Sequence, residues 1–165
     1  MCGRLNVIEN PLCQEVTEQL RLKFEAKTNR DLRPTQLVST IAGHQGTLYQ
    51  LNTQWGIQPA WAKKLLINAQ AEPGSARKTK YLFQEMNGKL LYMAGIYYSN
   101  PELNAQLVTL TTKPTEQCAA YHHRMPLLIS AEQVSYWLHS EAHQLKPLLE
   151  QPADWLHLSV VADER

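Results

Sequence analysis

The chain has 165 residues, of which 44% are hydrophobic, and a formal net charge of +1. This describes one domain, residues 1–165, with enough apolar material for a real core, and it excludes a global attraction to nucleic acid, so any polyanion must be held by a local basic patch. Three cysteines, Cys2, Cys13 and Cys118, make an odd count without CxxC spacing, which argues against a disulfide framework or a zinc knuckle and suits a reducing cytoplasm. No apolar stretch approaches the ~18–20 residues of a membrane span, and the first residues do not form a signal peptide. The expectation is a soluble cytoplasmic protein without a metal or cofactor.

In chain order, Asn10-Pro11 reads as a helix N-cap followed by proline at the first helical position. Leu12, Val16 and Leu20 then recur every four residues, as one buried face of a short helix does. From Thr47 the period becomes two. Tyr49, Leu51, Thr53 and Trp55 alternate with Gln50, Asn52 and Gln54, which predicts a half-buried strand. Leu66 to Ala69 is a further short strand or a buried loop. Lys89–Tyr98 and Ala105–Thr112 read as two more strands, both central. Ser130-Ala131-Glu132-Gln133 fits a capping box, with Val134, Trp137 and Leu138 on the helical face that follows. A second helical piece covers about Glu141 to Leu149, limited by Pro147 unless that residue sits in the first turn, and Ser140 is a candidate cap for it. Trp155 to Val161 alternates again as a closing strand. The fold class is α+β, with a mixed, mainly antiparallel, barrel-like sheet core and peripheral helices.

Chemistry concentrates at the start of the chain. A small residue at position two permits removal of Met1, which leaves Cys2 carrying both an α-amine (pKa ~7.7–8.0) and a thiol (~8.5). An amine and a thiol on adjacent carbons condense with an aldehyde, first to an imine and then to a thiazolidine ring. The same pair can serve as base and nucleophile in amide hydrolysis. An ordinary cysteine on a frayed terminus is the competing reading.

Four segments change that balance: Cys2-Gly3-Arg4, Trp55-Gly56-Ile57-Gln58-Pro59-Ala60-Trp61, Asn68-Ala69-Gln70-Ala71-Glu72 and His122-His123-Arg124-Met125-Pro126. In this order they resemble the SOS response-associated peptidase (SRAP) family, in which Cys-Gly-Arg, Trp-Gly-x-x-Pro-x-Trp, Asn-Ala-Arg-x-Glu and His-x-Arg-Met-Pro follow one another. The resemblance implies a DNA damage-response protein that binds single-stranded DNA and captures abasic sites covalently through a thiazolidine on the mature N-terminal cysteine. It also implies self-processing that exposes the cysteine, and association with the nucleoid when DNA is bound. Cys2, Asn68 and His122 take the catalytic positions, supported by Gly3 and Glu72. Arg4, Trp55, Pro59, Trp61, Arg77, Arg124, Met125 and Pro126 are the candidate DNA contacts.

Physical readings stand beside these. The Asn68 amide can polarise a carbonyl or hemiacetal oxygen, though asparagine also satisfies loop backbone. His122, with an ordinary pKa of about 6.5, suits proton transfer in imine and ring-opening steps. His123 is its neighbour, and the two rings are expected to point apart. His139 and His143 lie four apart, too few ligands for zinc, and read as surface histidines. Arg4 and Arg124 are forked donors suited to phosphate. Trp55, Pro59 and Trp61 offer apolar and π surface for bases, with core packing the stronger reading for Trp55 on its alternating strand. Lys63-Lys64 and Arg77-Lys78-Lys80 add a basic rim or a solvated face.

The departures are informative too. SRAP members carry, after Asn-Ala-Arg-x-Glu, a block ending in Gly-Trp/Phe-Tyr-Glu-Trp whose glutamate works with the asparagine and histidine. Here Glu72 runs through Pro73-Gly74-Ser75 almost directly into Lys80-Tyr81-Leu82-Phe83. Gln70 replaces the family arginine and His123 the aspartate, and Glu72 and Glu85 remain as available carboxylates. Abasic-site capture with impaired chemistry is therefore the leading expectation. An N-terminal-nucleophile peptidase or amidohydrolase and a non-catalytic DNA-binding module are the alternatives. Loss of a strand-bearing block is expected to leave sheet edges unpaired and to favour weak self-association.

Overall fold

The computed structural model describes residues 3–57, 80–100, 103–150 and 155–163. In chain order the elements are β1 (Leu5–Val7), α1 (Glu9–Leu20), β2 (Asn29–Leu32), β3 (Leu37–His44), β4 (Thr47–Trp55), β5 (Lys80–Glu85), β6 (Tyr92–Met93), β7 (Gly95–Asn100), β8 (Leu103–Thr109), β9 (Thr111–Thr112), α2 (Glu116–Ala119), β10 (Met125–Pro126), β11 (Leu128–Ile129), α3 (Ala131–His139), a 3₁₀ turn over Ala142–Leu145, α4 (Lys146–Glu150) and β12 (Leu158–Asp163). No helix among them is long and apolar enough to cross a membrane.

The mixed α+β class holds, with mainly antiparallel pairing. β3, β4, β8 and β7 form a four-stranded sheet in that order, in which only the β4–β8 pairing is parallel. Two-stranded ladders β1–β2, β9–β10, β6–β11 and β5–β12 complete the framework. Two of these ladders, β6–β11 and β9–β10, join the β7–β8 pair of the four-stranded sheet at one point. Ala94, Leu110 and Leu127 interrupt β6/β7, β8/β9 and β10/β11, and their backbones bond in a ring: Ala94 N–H to Leu127 O (2.8 Å), Leu127 N–H to Leu110 O (2.9 Å) and Leu110 N–H to Ala94 O (2.9 Å). Each chain segment thus leaves one partner for another without stranding its polar groups. Small Ala94 suits the centre of this junction, where it and Leu127 are buried beside Ile129 and Val134. A second cluster, Cys118, Met125, Leu128, Leu156 and Leu158, packs under β5 and β12.

Local rules account for most of the elements. Asn10 is extended (φ −113, ψ 124), so the regular turns of α1 start at Pro11, and Val16 is its buried residue. The Ser130/Gln133 capping box opens α3. Pro147 sits in the first turn of α4, where its missing N–H costs no helical bond. Three expectations are corrected. Ser140 ends α3, and Glu141 opens the following 3₁₀ turn with its own box to Gln144. The predicted Lys89–Tyr98 strand is split at Ala94 by the junction, and β7 lies at the border of its sheet rather than in the centre. The closing strand starts at Leu158 rather than at Trp155, which precedes it with about two-fifths of its surface exposed. The expected strand or loop at Leu66–Ala69 lies outside the described residues.

Candidate functional site

The described part of the site is built on two arms. The first follows the N-terminus. β1 pairs antiparallel with β2, placing Leu5 opposite Leu32, and this brings Arg4 to Asp31: Nη1 donates to Oδ1 at 2.7 Å. Arg33 donates from Nε to Oδ2 of the same carboxylate at 2.8 Å. One acid is therefore shared by two arginines, all three side chains being substantially exposed. The Arg33 hydrogen bond, with the charges of Arg33 and Arg4, holds the Asp31 carboxyl below the usual range against its partial desolvation.

The second arm is the turn between α2 and β10. Thr115 caps α2, its hydroxyl accepting from Cys118 N–H, and buried Cys118 anchors the helix in the core. Backbone bonds from Tyr121 and His122 to Cys118 O, both 3.0 Å, then tighten the exit. His122 Nδ1 accepts the backbone N–H of Arg124 at 3.2 Å, which puts the proton of the neutral ring on Nε2. His123 stacks on His122, centroids 4.4 Å apart and planes at 25°, so the expectation that the rings point apart is corrected. Both rings lie in the five-residue turn from Ala120 to Arg124 that joins α2 to β10. Arg124 reaches across to β9, donating from Nε to Thr111 Oγ1 at 2.9 Å and from Nη2 to Thr111 O at 2.6 Å. Both acceptors are neutral, so these bonds fix the guanidinium without cancelling its charge.

Other candidates are placed differently. Trp55 ends β4 with 1% of its surface exposed, its backbone tied to Thr35 and Gln36. It packs in the core and offers no face to a base. Its Nε1 is buried without a hydrogen-bond partner among the described residues. Met125 is likewise buried, in the cluster beneath β5 and β12, and so is corrected as a DNA contact, whereas Pro126 is half-buried in the β9–β10 ladder. Gly3 is exposed, with nothing within 4 Å of where a Cβ would stand. Cys2, Pro59, Trp61, Lys63, Lys64, Asn68, Glu72 and Arg77 lie outside the described residues.

Glu85 does not take the place of the family glutamate. It is nearly buried at the β5–β6 turn, where its carboxylate accepts from Asn87 N–H (2.6 Å), Asn87 Nδ2 (3.1 Å) and Lys89 N–H (3.2 Å). Burial pushes its pKa up, but those hydrogen bonds and the Lys89 charge outweigh it and hold the group below the ordinary value. It is an ionised turn-holder.

The sequence motifs did not single out Tyr121 and Tyr81. Tyr121, the chain neighbour of His122, meets Tyr81 edge-on at 4.7 Å and Phe83 at 5.5 Å, and both tyrosines remain over two-fifths exposed. Nothing in the spacing of β5 and the α2 turn announces that they meet. Among the described residues no group of three or more metal-ligating side chains gathers. A groove of about 500 Å³ between the end of α1, the β3–β4 turn and the start of α3 contains none of the candidates.

Comparison with known proteins places this geometry. The family profile described as SOS response associated peptidase (SRAP) matches residues 72–164, more than half of the chain and all of the second arm. Two curated relatives, both called abasic site processing protein YoqW, from Bacillus subtilis (strain 168) and from Bacillus phage SPbeta, are each 26% identical over 200 residues, covering 93% of this chain and 88% of the relative. That span exceeds the whole chain, so the relatives carry residues within it that have no counterpart here. A crystal structure of a protein from Bordetella bronchiseptica superposes with a TM-score of 0.76 at 17% identity, covering 99% of this chain and 100% of that one, which shows the shared fold. On the extent of the family match, the chain is a member of the SRAP family.

Proposed function

We propose that the chain, acting as one SRAP-like domain, binds single-stranded DNA and captures abasic sites through Cys2. The relatives' name, abasic site processing protein, supports the DNA-lesion part of this reading. The observation that carries it here is the His122–Arg124 turn, in which an imidazole oriented through Nδ1 stands beside an arginine held by neutral oxygens.

The chemistry is stepwise. The neutral α-amine of Cys2 adds to the sugar aldehyde, and the carbinolamine loses water to give an imine. The thiol then adds across the C=N bond and closes a thiazolidine, so one water leaves overall. His122 supplies the proton for the departing hydroxyl and takes one back as the ring closes. Asn68 holds the oxygen by hydrogen bonding. Arg124 holds a flanking phosphate, and Arg4 contributes less because Asp31 partly neutralises it. With Trp55 buried, neighbouring bases rest on the exposed Tyr121 and Tyr81 rings, stacking that is worth ~1–3 kcal/mol per base. Without the family glutamate, and with Glu85 committed to its turn, proton transfer is slowed.

Abasic single-stranded oligonucleotide incubated with the protein and run under denaturing conditions tests this. A slow but stable adduct is expected from the wild type, none from Cys2→Ala, and at most a labile imine from Cys2→Ser. A normal adduct yield in Cys2→Ala removes the assignment. Turnover of peptide substrates without an adduct favours the amidohydrolase reading instead.

A further inference from the structure

The four-stranded sheet has two border strands, and they are treated differently. β3 is packed over: Gly43 lies so close to α3 that an added Cβ would come within 2.9 Å of Leu138 Cβ. Ser39 Oγ also donates to Glu25 O at 3.0 Å. β7 pairs only with β8, and no strand lies on its outer side among the described residues. Its consecutive residues Ile96, Tyr97 and Tyr98 are 47%, 40% and 51% exposed. Successive side chains point to opposite faces of a strand: the Tyr97 hydroxyl lies 3.3 Å from that of Tyr49 on one face, while Ile96 and Tyr98 share the other, about half exposed among the described residues.

Natural border strands are blunted by charge, by proline or by cover, because an open row of N–H and C=O groups templates further pairing. Gly95–Asn100 reads Gly-Ile-Tyr-Tyr-Ser-Asn, without a charge or a proline. One irregularity, the register shift between Tyr98 and Asn100, leaves Gly95–Tyr98 as the regular run. The strand is rich in residues that favour β structure.

We infer that β7 is a self-docking edge: two copies of the chain pair β7 with β7 antiparallel about a twofold axis near Tyr97. A twofold contact joins the same patch on both copies and requires it to be self-complementary. An uncharged strand meets that condition, since no like charges face each other. Across the axis, tyrosines and isoleucines give the aromatic and β-branched pairs that stabilise antiparallel ladders. A nucleic acid would find no cation on this strand, and a charged peptide no counter-charge. So short a ladder suits a transient dimer rather than an obligate one. The inference is independent of the DNA reading, because it uses only the edge.

Sedimentation velocity over a concentration series, with reductant present so that cysteine oxidation cannot mimic association, tests it. The wild type should move from monomer towards dimer as concentration rises, with hydrogen exchange at Ile96–Tyr98 slowing over the same range. Ile96→Lys and Tyr98→Lys should stay monomeric at every concentration, while Tyr98→Phe should still associate. The wild-type exchange series needs no variant, so a misfolded lysine variant leaves the test decisive. A wild type monomeric throughout with unchanged exchange overturns the proposal, as does dimerisation undiminished in both lysine variants. Protection of β7 in the monomer on adding unmodified single-stranded DNA also overturns it, assigning the edge to nucleic acid.

Discussion

Arg4 and Arg124 stand in matching places, each two residues beyond a candidate catalytic side chain, yet the fold treats them in opposite ways. Arg4 lies at the surface against Asp31, an acid that Arg33 also grips. Arg124 is half-buried and held by the hydroxyl and carbonyl oxygens of Thr111. The first arrangement neutralises charge in an exposed pair, which salt screens and which stabilises little. The second fixes a guanidinium without cancelling it. Pre-positioned, uncancelled charge is what a phosphate site needs, so under the proposed function Arg124 is the stronger phosphate holder of the two arginines and Arg4 the weaker.

The difference is open to attack at several points. The largest effect is expected from His122→Ala, which should slow adduct formation by about 10²–10⁴-fold in a single-turnover assay. An unchanged rate would mean that the second arm performs no proton transfer. Arg124→Ala should cost about 1–3 kcal/mol in stability through its lost charged hydrogen bonds, read by denaturant melts. It should also reduce the slope of log K against log salt by about 0.7 for single-stranded DNA. Arg124→Lys keeps the charge but loses the fork, so it should preserve most of the slope and little of the stability.

Arg4→Ala should change the salt slope less than Arg124→Ala does. Asp31→Asn sharpens this contrast, because it releases Arg4 and Arg33 together. DNA affinity at low salt should rise, and the slope should steepen by up to about 0.7 for each additional phosphate held. If Arg4→Ala proves the more damaging of the two arginine variants, the ranking of the two arginines is reversed.

The smallest effect is the pH dependence of Asp31. Its folded pKa is depressed by Arg33 and Arg4, so its contribution is fully present above the unfolded value of about 3.9 and is lost as pH falls through the lower folded value. Thermal melts should therefore show no Asp31-dependent change between neutral pH and about 5. Below about 4, the wild type should lose slightly more stability than Asp31→Asn.

What the sequence disclosed follows from which interactions are local. The Asn10-Pro11 helix start, the Ser130 capping box and the alternation through β4 are each set within a few residues, and the fold realises them. The split of Lys89–Tyr98 at Ala94 depends on Leu110 and Leu127, which no window around Ala94 contains. The site divides in the same way. The order of the motifs pointed to His122 and Arg124, but not to Thr111 as the arginine's holder or to Tyr81 as the partner of Tyr121, because both contacts join the α2–β10 turn to strands remote in sequence. Asp31 had a local trace in Arg30-Asp31-Leu32-Arg33, a lone acid between arginines. Trp55 shows how one residue carries two readings: its motif suggested a DNA surface, while its place on an alternating strand pointed to the core where it lies.

Capture of an abasic site by the mature N-terminal cysteine is tested most directly by intact mass, measured on the purified protein and again after incubation with an abasic single-stranded oligonucleotide. The account predicts loss of Met1, then a single product weighing the protein plus the oligonucleotide less one water, with the bond mapped to Cys2 by fragmentation. A retained Met1 with no adduct, or an adduct mapped to a lysine, would contradict it.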